Sequence, residues 1–209
     1  KEVELAELAA LGRKHRIPVA HALGSGNLVK LEPFGLGPEP TVQESLRSGA
    51  DIVFFSADKL IGGPQGGLIV GRRKLVERIL AHPLYRALRV DKMTMAALEN
   101  TLRLFLSPDR LTQTHPTFRM LAKGRTEMEG QAADLCRRIA EVAPGCRAAV
   151  DKDIAFLGGG SLPGTELPTW VVRLTAPGVS AKEMARRLRT FETPVITRVK
   201  DGAVLLDMR

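Results

Sequence analysis

Aromatic residues are scarce in this chain of 209 residues, since Phe, Trp and Tyr together make up 4% of it. Proteins that bind single-stranded nucleic acid stack bases on aromatic side chains, so the composition argues against such a platform. Cysteine is also rare. Cys136 and Cys146 are the only two, and neither stands at ligand spacing from a histidine or a second cysteine pair. We therefore predict neither a metal site nor a disulfide framework.

Long apolar runs are missing as well. No segment approaches the roughly 20 residues that a membrane-spanning helix requires, and no basic-then-apolar leader opens the chain. We accordingly expect no membrane association and a cytoplasmic location. The sequence starts at Lys1, without a methionine and directly in a helical pattern, so we expect further residues to precede it in the full protein.

Positive charge is in excess, with 31 Lys and Arg against 23 Asp and Glu and a net charge of +8. Such an excess is compatible with a polyanionic partner. The basic residues nevertheless lie in short groups flanked by apolar residues at helical spacing, which favours solvated helix faces. These groups are Arg72-Arg73-Lys74, Arg137-Arg138 and Arg186-Arg187-Leu188-Arg189.

The pattern of apolar residues predicts an α/β fold. Helix and strand alternate over residues 1–71, as in a layered sheet, and two helices follow. A long helical pattern from His115 to Val142 then leads into a small α+β unit, so we predict a large-domain portion over residues 1–112 and a C-terminal domain over 113–209. The predicted strands are 17–22, 51–55, 68–70, 147–150 and 169–175, of which 68–70 is expected to be buried, with a terminal hairpin of 195–199 and 203–206. The main predicted helices are 40–47, 72–81, 91–106 and 181–190.

One segment suggests chemistry. Residues 54–67 read Phe-Phe-Ser-Ala-Asp-Lys-Leu-Ile-Gly-Gly-Pro-Gln-Gly-Gly, so a strand ends just before Lys59. The Gly24-Ser25-Gly26 turn that follows strand 17–22 is expected at the same edge of the sheet. Ligands of open α/β folds bind at that edge of the sheet, where a partly desolvated lysine is a nucleophile suited to a Schiff base, most often with pyridoxal phosphate. Ser56 is close enough to donate its hydroxyl to a phosphate oxygen. The Ser-x-x-Lys motif alone is more typical of a solvated loop lysine.

The longer run Ser-Ala-Asp-Lys-Leu-Ile-Gly-Gly-Pro-Gln-Gly-Gly resembles the lysine segment of bacterial selenocysteine synthase, the L-seryl-tRNA(Sec) selenium transferase family. Further motifs fall in the family's order, so the resemblance covers nearly all of the chain. They are Leu23-Gly24-Ser25-Gly26, Glu39-Pro40-Thr41-Val42, His82-Pro83-Leu84, Asp91-Lys92-Met93-Thr94, Gly158-Gly159-Gly160-Ser161-Leu162-Pro163 and Leu205-Leu206-Asp207.

This resemblance implies a pyridoxal 5'-phosphate-dependent transferase of the aspartate aminotransferase-like fold that converts seryl-tRNA(Sec) into selenocysteinyl-tRNA(Sec). Lys59 would hold the cofactor with Ser56, while Asp58 either orients the site or caps the turn. Arg86 and Arg89, three residues apart and expected on one helical face, match arginines that bind the anionic donor selenophosphate. The family forms a ring-shaped homodecamer built from dimers, and its N-terminal, tRNA-recognising part has no counterpart here.

Ala22 departs from the pattern, because the family has an aspartate there and many enzymes of this fold use one to pair with the pyridinium nitrogen. His21 is expected on the opposite face of the strand. Two alternatives therefore stay open: another β-eliminating lyase or desulfurase of the same fold acting on a free amino acid, and a non-catalytic truncated homologue.

Overall fold

The computed structural model describes residues 3–158, 161–162 and 164–209, and in it the chain separates into two units. The first consists of Lys1–Met120 with Leu157–Thr165, and the second of Leu121–Phe156 with Glu166–Arg209. The domain boundary predicted after residue 112 stays a prediction, and it falls before the point where the chain first passes between the units.

The first unit is organised around a sheet with the strand order β1 (Ala20–Gly24), β2 (Ile52–Ser56) and β3 (Gly67–Gly71). β1 and β2 are parallel, and β3 is antiparallel to β2. Parallel neighbours need a crossover connection, which here contains helix α2 (Val42–Arg47). The predicted α/β class is thereby confirmed.

Only one face of this sheet carries a well-covered core. Val53 and Phe55 point to that face and cluster with Leu23 and Ile61. On the other face Phe54 pairs with Ile69, and these side chains are 44% and 45% exposed. The prediction that residues 68–70 form a buried strand was therefore wrong for Ile69, because side chains alternate between the two faces of a strand and the second face is left open.

Helix boundaries in the first unit follow from local capping. A Thr41–Glu44 capping box starts α2, so Pro40 precedes the helix instead of lying in its first turn. Asp91 caps α5 (Lys92–Leu104), and hydrogen bonds from Thr94 hold the pKa of its carboxyl below the usual value. Besides α2, the helices are α1 (Leu5–His15), α3 (Arg73–Ala81), α4 (Pro83–Leu88), α5 (Lys92–Leu104), α6 (Leu111–Thr114) and α7 (Pro116–Leu121), with short 3-10 turns at Glu32–Phe34 and Pro108–Arg110.

The second unit has a four-stranded antiparallel sheet in the order β4 (Arg147–Phe156), β5 (Glu166–Thr175), β7 (Ala203–Asp207) and β6 (Arg198–Lys200). Asp201 and Gly202 both have positive φ, of 48° and 72°, as a tight turn between antiparallel strands requires. No helix among residues 3–158, 161–162 and 164–209 is both long and apolar enough to cross a membrane. The elements are α8 (Arg125–Val142), β4 (Arg147–Phe156), β5 (Glu166–Thr175), α9 (Ala181–Arg189), β6 (Arg198–Lys200) and β7 (Ala203–Asp207).

The glycine-rich motif over residues 158–163 lies partly outside the described residues, namely at positions 159, 160 and 163. Of its other members, Ser161 and Leu162 are buried.

Candidate cofactor and substrate site

The turn that carries Lys59 is closed by its own backbone. The amide of Ala57 donates to the carbonyl of Gly66 at 2.9 Å, that of Gly63 donates to Ala57 at 2.8 Å, and that of Gly62 donates to Lys59 at 2.9 Å. Ala57, Leu60 and Ile61 are buried, whereas the side chain of Lys59 is half-buried and Asp58 is exposed. The backbone of Lys59 is thus fixed by buried neighbours on both sides.

A second loop, Gly24-Ser25-Gly26, lies against the Lys59 turn, as predicted from the strand order. The amide of Leu60 donates to the carbonyl of Ser25 at 3.2 Å. The hydroxyl of Ser25 donates to Glu39 at 3.0 Å. At Gly26, which has φ +71°, an added β-carbon would stand 2.6 Å from the carbonyl oxygen of Ser56. The two loops therefore meet so closely that only glycine fits at position 26.

This contact gives a matched pair of variants. Gly24 has nearly the same φ, +66°, but open space around it, so Gly24→Ala incurs only the left-handed backbone cost of about 1–2 kcal/mol. Gly26→Ala adds a collision with the backbone of Ser56. We expect Gly26→Ala to lower the free energy of unfolding by at least about 1 kcal/mol more than Gly24→Ala, as overpacking typically does, in denaturant titrations. Equal losses would mean that the two loops separate easily.

His115 is a buried side chain that contacts the Lys59 turn. It is 2% exposed, and its Nε2 lies 2.8 Å from the carbonyl oxygen of Ile61. Its ring packs edge-on against Phe105 and Phe118, with centroid distances of 5.5 and 5.1 Å. From the sequence, His115 stands out only as the start of a helical pattern. The His115-Pro116 pair marks the boundary between α6 and α7, but nothing local reveals the contact with Ile61.

A groove of about 1150 Å³ opens on the uncovered face of the three-stranded sheet. Ser56 and Arg89 line it, together with Ala22, while Lys59, Asp58 and Arg86 are not among its lining residues. Its remaining walls are largely apolar. The ionisable groups on the described lining are Arg78, His82, Tyr85 and Arg89, so the groove presents positive charge and no carboxylate.

The two predicted donor-binding arginines have different local structures. Arg86 lies in the last turn of α4, whereas Arg89 follows the helix with an extended backbone, its amide donating to Tyr85 at 2.8 Å. The shared helical face expected for the pair thus does not extend to Arg89. Both side chains are exposed, and within the described residues neither guanidinium forms an ion pair with a carboxylate. An anionic ligand would therefore meet two uncompensated charges.

Comparisons with known proteins agree over the whole chain. The sequence profile of the family described as "SelA: L-seryl-tRNA selenium transferase" matches residues 1–209. Curated proteins named L-seryl-tRNA(Sec) selenium transferase are 44% identical in Alkaliphilus metalliredigens and 46% identical in Geobacter metallireducens, each over 209 residues, and 47% identical over 210 residues in Desulfomicrobium baculatum. Each alignment covers 100% of this chain and 45% of the relative, so the chain spans about half the length of the curated relatives it matches.

A solved structure also resembles the chain. D-glucosaminate-6-phosphate ammonia-lyase superposes with a TM-score of 0.55 at 18% identity, covering 99% of this chain and 48% of that one. This likeness shows the fold, and it extends through both units.

Proposed function

This chain belongs to the L-seryl-tRNA selenium transferase family, whose cofactor is pyridoxal 5'-phosphate, and from that premise we propose its function. Within a protein of the length of its relatives, it converts L-seryl-tRNA(Sec) into L-selenocysteinyl-tRNA(Sec), with selenophosphate as the selenium donor. The observation that carries the proposal is the half-buried Lys59 in a backbone-closed turn at the carboxyl end of β2. This turn directly follows Ser56, which lines the groove, and its closed backbone fixes the point from which the Lys59 side chain extends.

The residues around Lys59 fit the cofactor in two respects. Lys59 has the amine that would hold it covalently, and the half-buried Ser56 lines the groove with a hydroxyl that suits its phosphate. The cofactor, when bound, supplies an electron sink for a carbanion at the substrate α-carbon. The free amine of Lys59 would then be the base that takes the α-proton of the seryl group. Asp58 is exposed, and we propose that it orients the cofactor or caps the turn.

We assign the selenium donor to Arg86 and Arg89. Both are exposed and face no carboxylate within the described residues, and guanidinium groups bind phosphate-like oxyanions with paired N–H donors. Arg89 also lines the groove together with Ser56. An anion held by these arginines is drawn towards the open face of the sheet, where no carboxylate on the described lining repels it.

We further propose that the protein works as a homo-oligomer in the cytoplasm, in the ring-shaped homodecamer built from dimers that the sequence resemblance implies. Large apolar side chains at Leu84, Leu88 and Met93 are 60%, 78% and 81% exposed. Exposed apolar surface of this extent is typical of interaction sites, which supports an assembly.

The test is a transfer assay on the full-length protein with pyridoxal phosphate, L-seryl-tRNA(Sec) and selenophosphate, run beside free L-serine and L-cysteine. We expect selenium in the aminoacyl-tRNA and no turnover of the free amino acids. Elimination from a free amino acid would instead favour the lyase or desulfurase alternative. Binding of the cofactor without turnover of seryl-tRNA or of free amino acids would favour a non-catalytic homologue. The alanine at position 22 is the observation that supports this alternative.

A further inference from the structure

We propose that His115 is a positioning residue for Lys59, because its imidazole ties the lysine-bearing turn to the aromatic cluster of the first unit. The inference rests on the proposed role of Lys59. His115 lies 56 positions further along the sequence than Lys59 and touches neither cofactor nor substrate in this proposal. It acts through the carbonyl group of Ile61.

The hydrogen bond to Ile61 defines the state of the histidine ring. A backbone carbonyl only accepts, so Nε2, 2.8 Å away, carries the hydrogen and donates. Nδ1 is buried and has no hydrogen-bond partner in the part of the chain that the structure describes. The tautomer with its hydrogen on Nε2 is therefore the one that makes this contact.

Packing holds the His115 ring at the position from which it contacts Ile61. Phe105 and Phe118 meet it edge-on, and Phe118 also packs against Phe34 at 4.9 Å. On the turn side, an added β-carbon at Gly62 would lie 2.7 Å from Cε1 of His115. The histidine is thus held between the aromatic cluster and the backbone of the turn.

The contact reaches Lys59 through two peptide units. His115 donates to the carbonyl group of Ile61. The next amide group, that of Gly62, donates to the carbonyl group of Lys59 at 2.9 Å. A peptide unit moves as a plane, so anchoring the Ile61 carbonyl also orients the Gly62 amide. Without the His115 contact, the hydrogen bond from Gly62 to Lys59 that closes the turn is expected to weaken. The direction of the Lys59 amine would then be less well defined.

The experiment compares full-length wild-type protein with His115→Leu and His115→Gln by hydrogen exchange and by titration with pyridoxal phosphate. Leucine removes the donor, whereas the amide nitrogen of glutamine can reach a similar place. With one hydrogen bond lost, we expect about fivefold to tenfold faster exchange in peptides covering residues 59–63 and a similarly weakened cofactor affinity in His115→Leu. His115→Gln should recover most of both, and peptides from β4 and β5 should stay unchanged.

A uniform rise in exchange over both units, or a glutamine variant as impaired as the leucine one, would overturn the proposal in favour of a general core role. If wild-type protein shows no Lys59-dependent cofactor binding, the proposed function has failed, and exchange at residues 59–63 alone decides the role of His115. If wild-type protein binds the cofactor and the His115 variants bind it equally well, the inference has failed instead.

A second pair of variants keeps the test usable should His115→Leu not fold. Gly62 and Gly35 have similar positive φ angles of +67° and +74°, but only an alanine at Gly62 presses on the His115 ring, since Gly35 has open space. We expect Gly62→Ala to weaken cofactor affinity at least about fivefold relative to Gly35→Ala, on the scale of one disturbed hydrogen bond. Equal affinities would contradict the positioning role.

Discussion

Replacing Lys59 with alanine is expected to abolish covalent binding of pyridoxal phosphate and transfer of selenium to seryl-tRNA. The substitution removes the amine that would hold the cofactor and the proposed base for the substrate α-proton. Loss of positioned proton transfer alone lowers rates by about 10²- to 10⁴-fold, and loss of covalent attachment adds to this. The fold should survive, because the Lys59 side chain is half-buried and the turn is closed by backbone hydrogen bonds of its neighbours.

The measurement is visible absorbance of the full-length protein after addition of the cofactor, followed by borohydride reduction and peptide mapping. Reduction makes the bond between lysine and cofactor permanent, so the labelled peptide identifies the residue. Lys74→Ala is the matched control, because Lys74 is exposed on α3 and lies outside the groove lining. An absorbance band that persists in Lys59→Ala, or a label on another lysine, would contradict the assignment.

The order of elements around this site was predictable from the sequence, and the reason is local. Short apolar runs before Gly24 and before Lys59 predicted parallel strands whose carboxyl ends meet, and the 3.2 Å bond from Leu60 to Ser25 confirms the meeting of the two loops. The glycines at positions 26 and 62 likewise stand where the backbone needs positive φ. Strand ends and glycine turns are encoded within a few residues, so a sequence pattern suffices for them.

Features that depend on distant partners were not predictable in the same way. The contact of His115 with Ile61 joins residues 54 positions apart, and no periodicity announces it. The exposure of Ile69 depends on which face of the sheet is covered, which an apolar run cannot specify by itself. Arg89 left the predicted helical face because α4 ends at Leu88, and helix ends are set by capping more than by the spacing of charges.

Ala22 is the second position where a large effect is expected. It pairs with Phe54 in the parallel ladder and lines the groove together with Ser56. His21 pairs with Val53, whose side chain faces the covered core, so it points away and cannot replace a missing carboxylate at position 22. With no acidic residue on the described lining, the site lacks an evident partner for a protonated pyridine nitrogen.

We therefore expect Ala22→Asp to accelerate selenium transfer by the full-length protein. A hydrogen bond involving a charged group contributes roughly 1.5–3 kcal/mol, and about 1.36 kcal/mol corresponds to a tenfold rate, so the gain should be about 10- to 100-fold. Asparagine at position 22 has nearly the same shape without the charge. Ala20→Asp places the charge two residues earlier on the same face, beside Ile52. An acceleration confined to Ala22→Asp would show that the lack of a carboxylate at this position limits the rate. If Ala22→Asp, Ala22→Asn and Ala20→Asp all react at the wild-type rate, another group already stabilises the protonated ring.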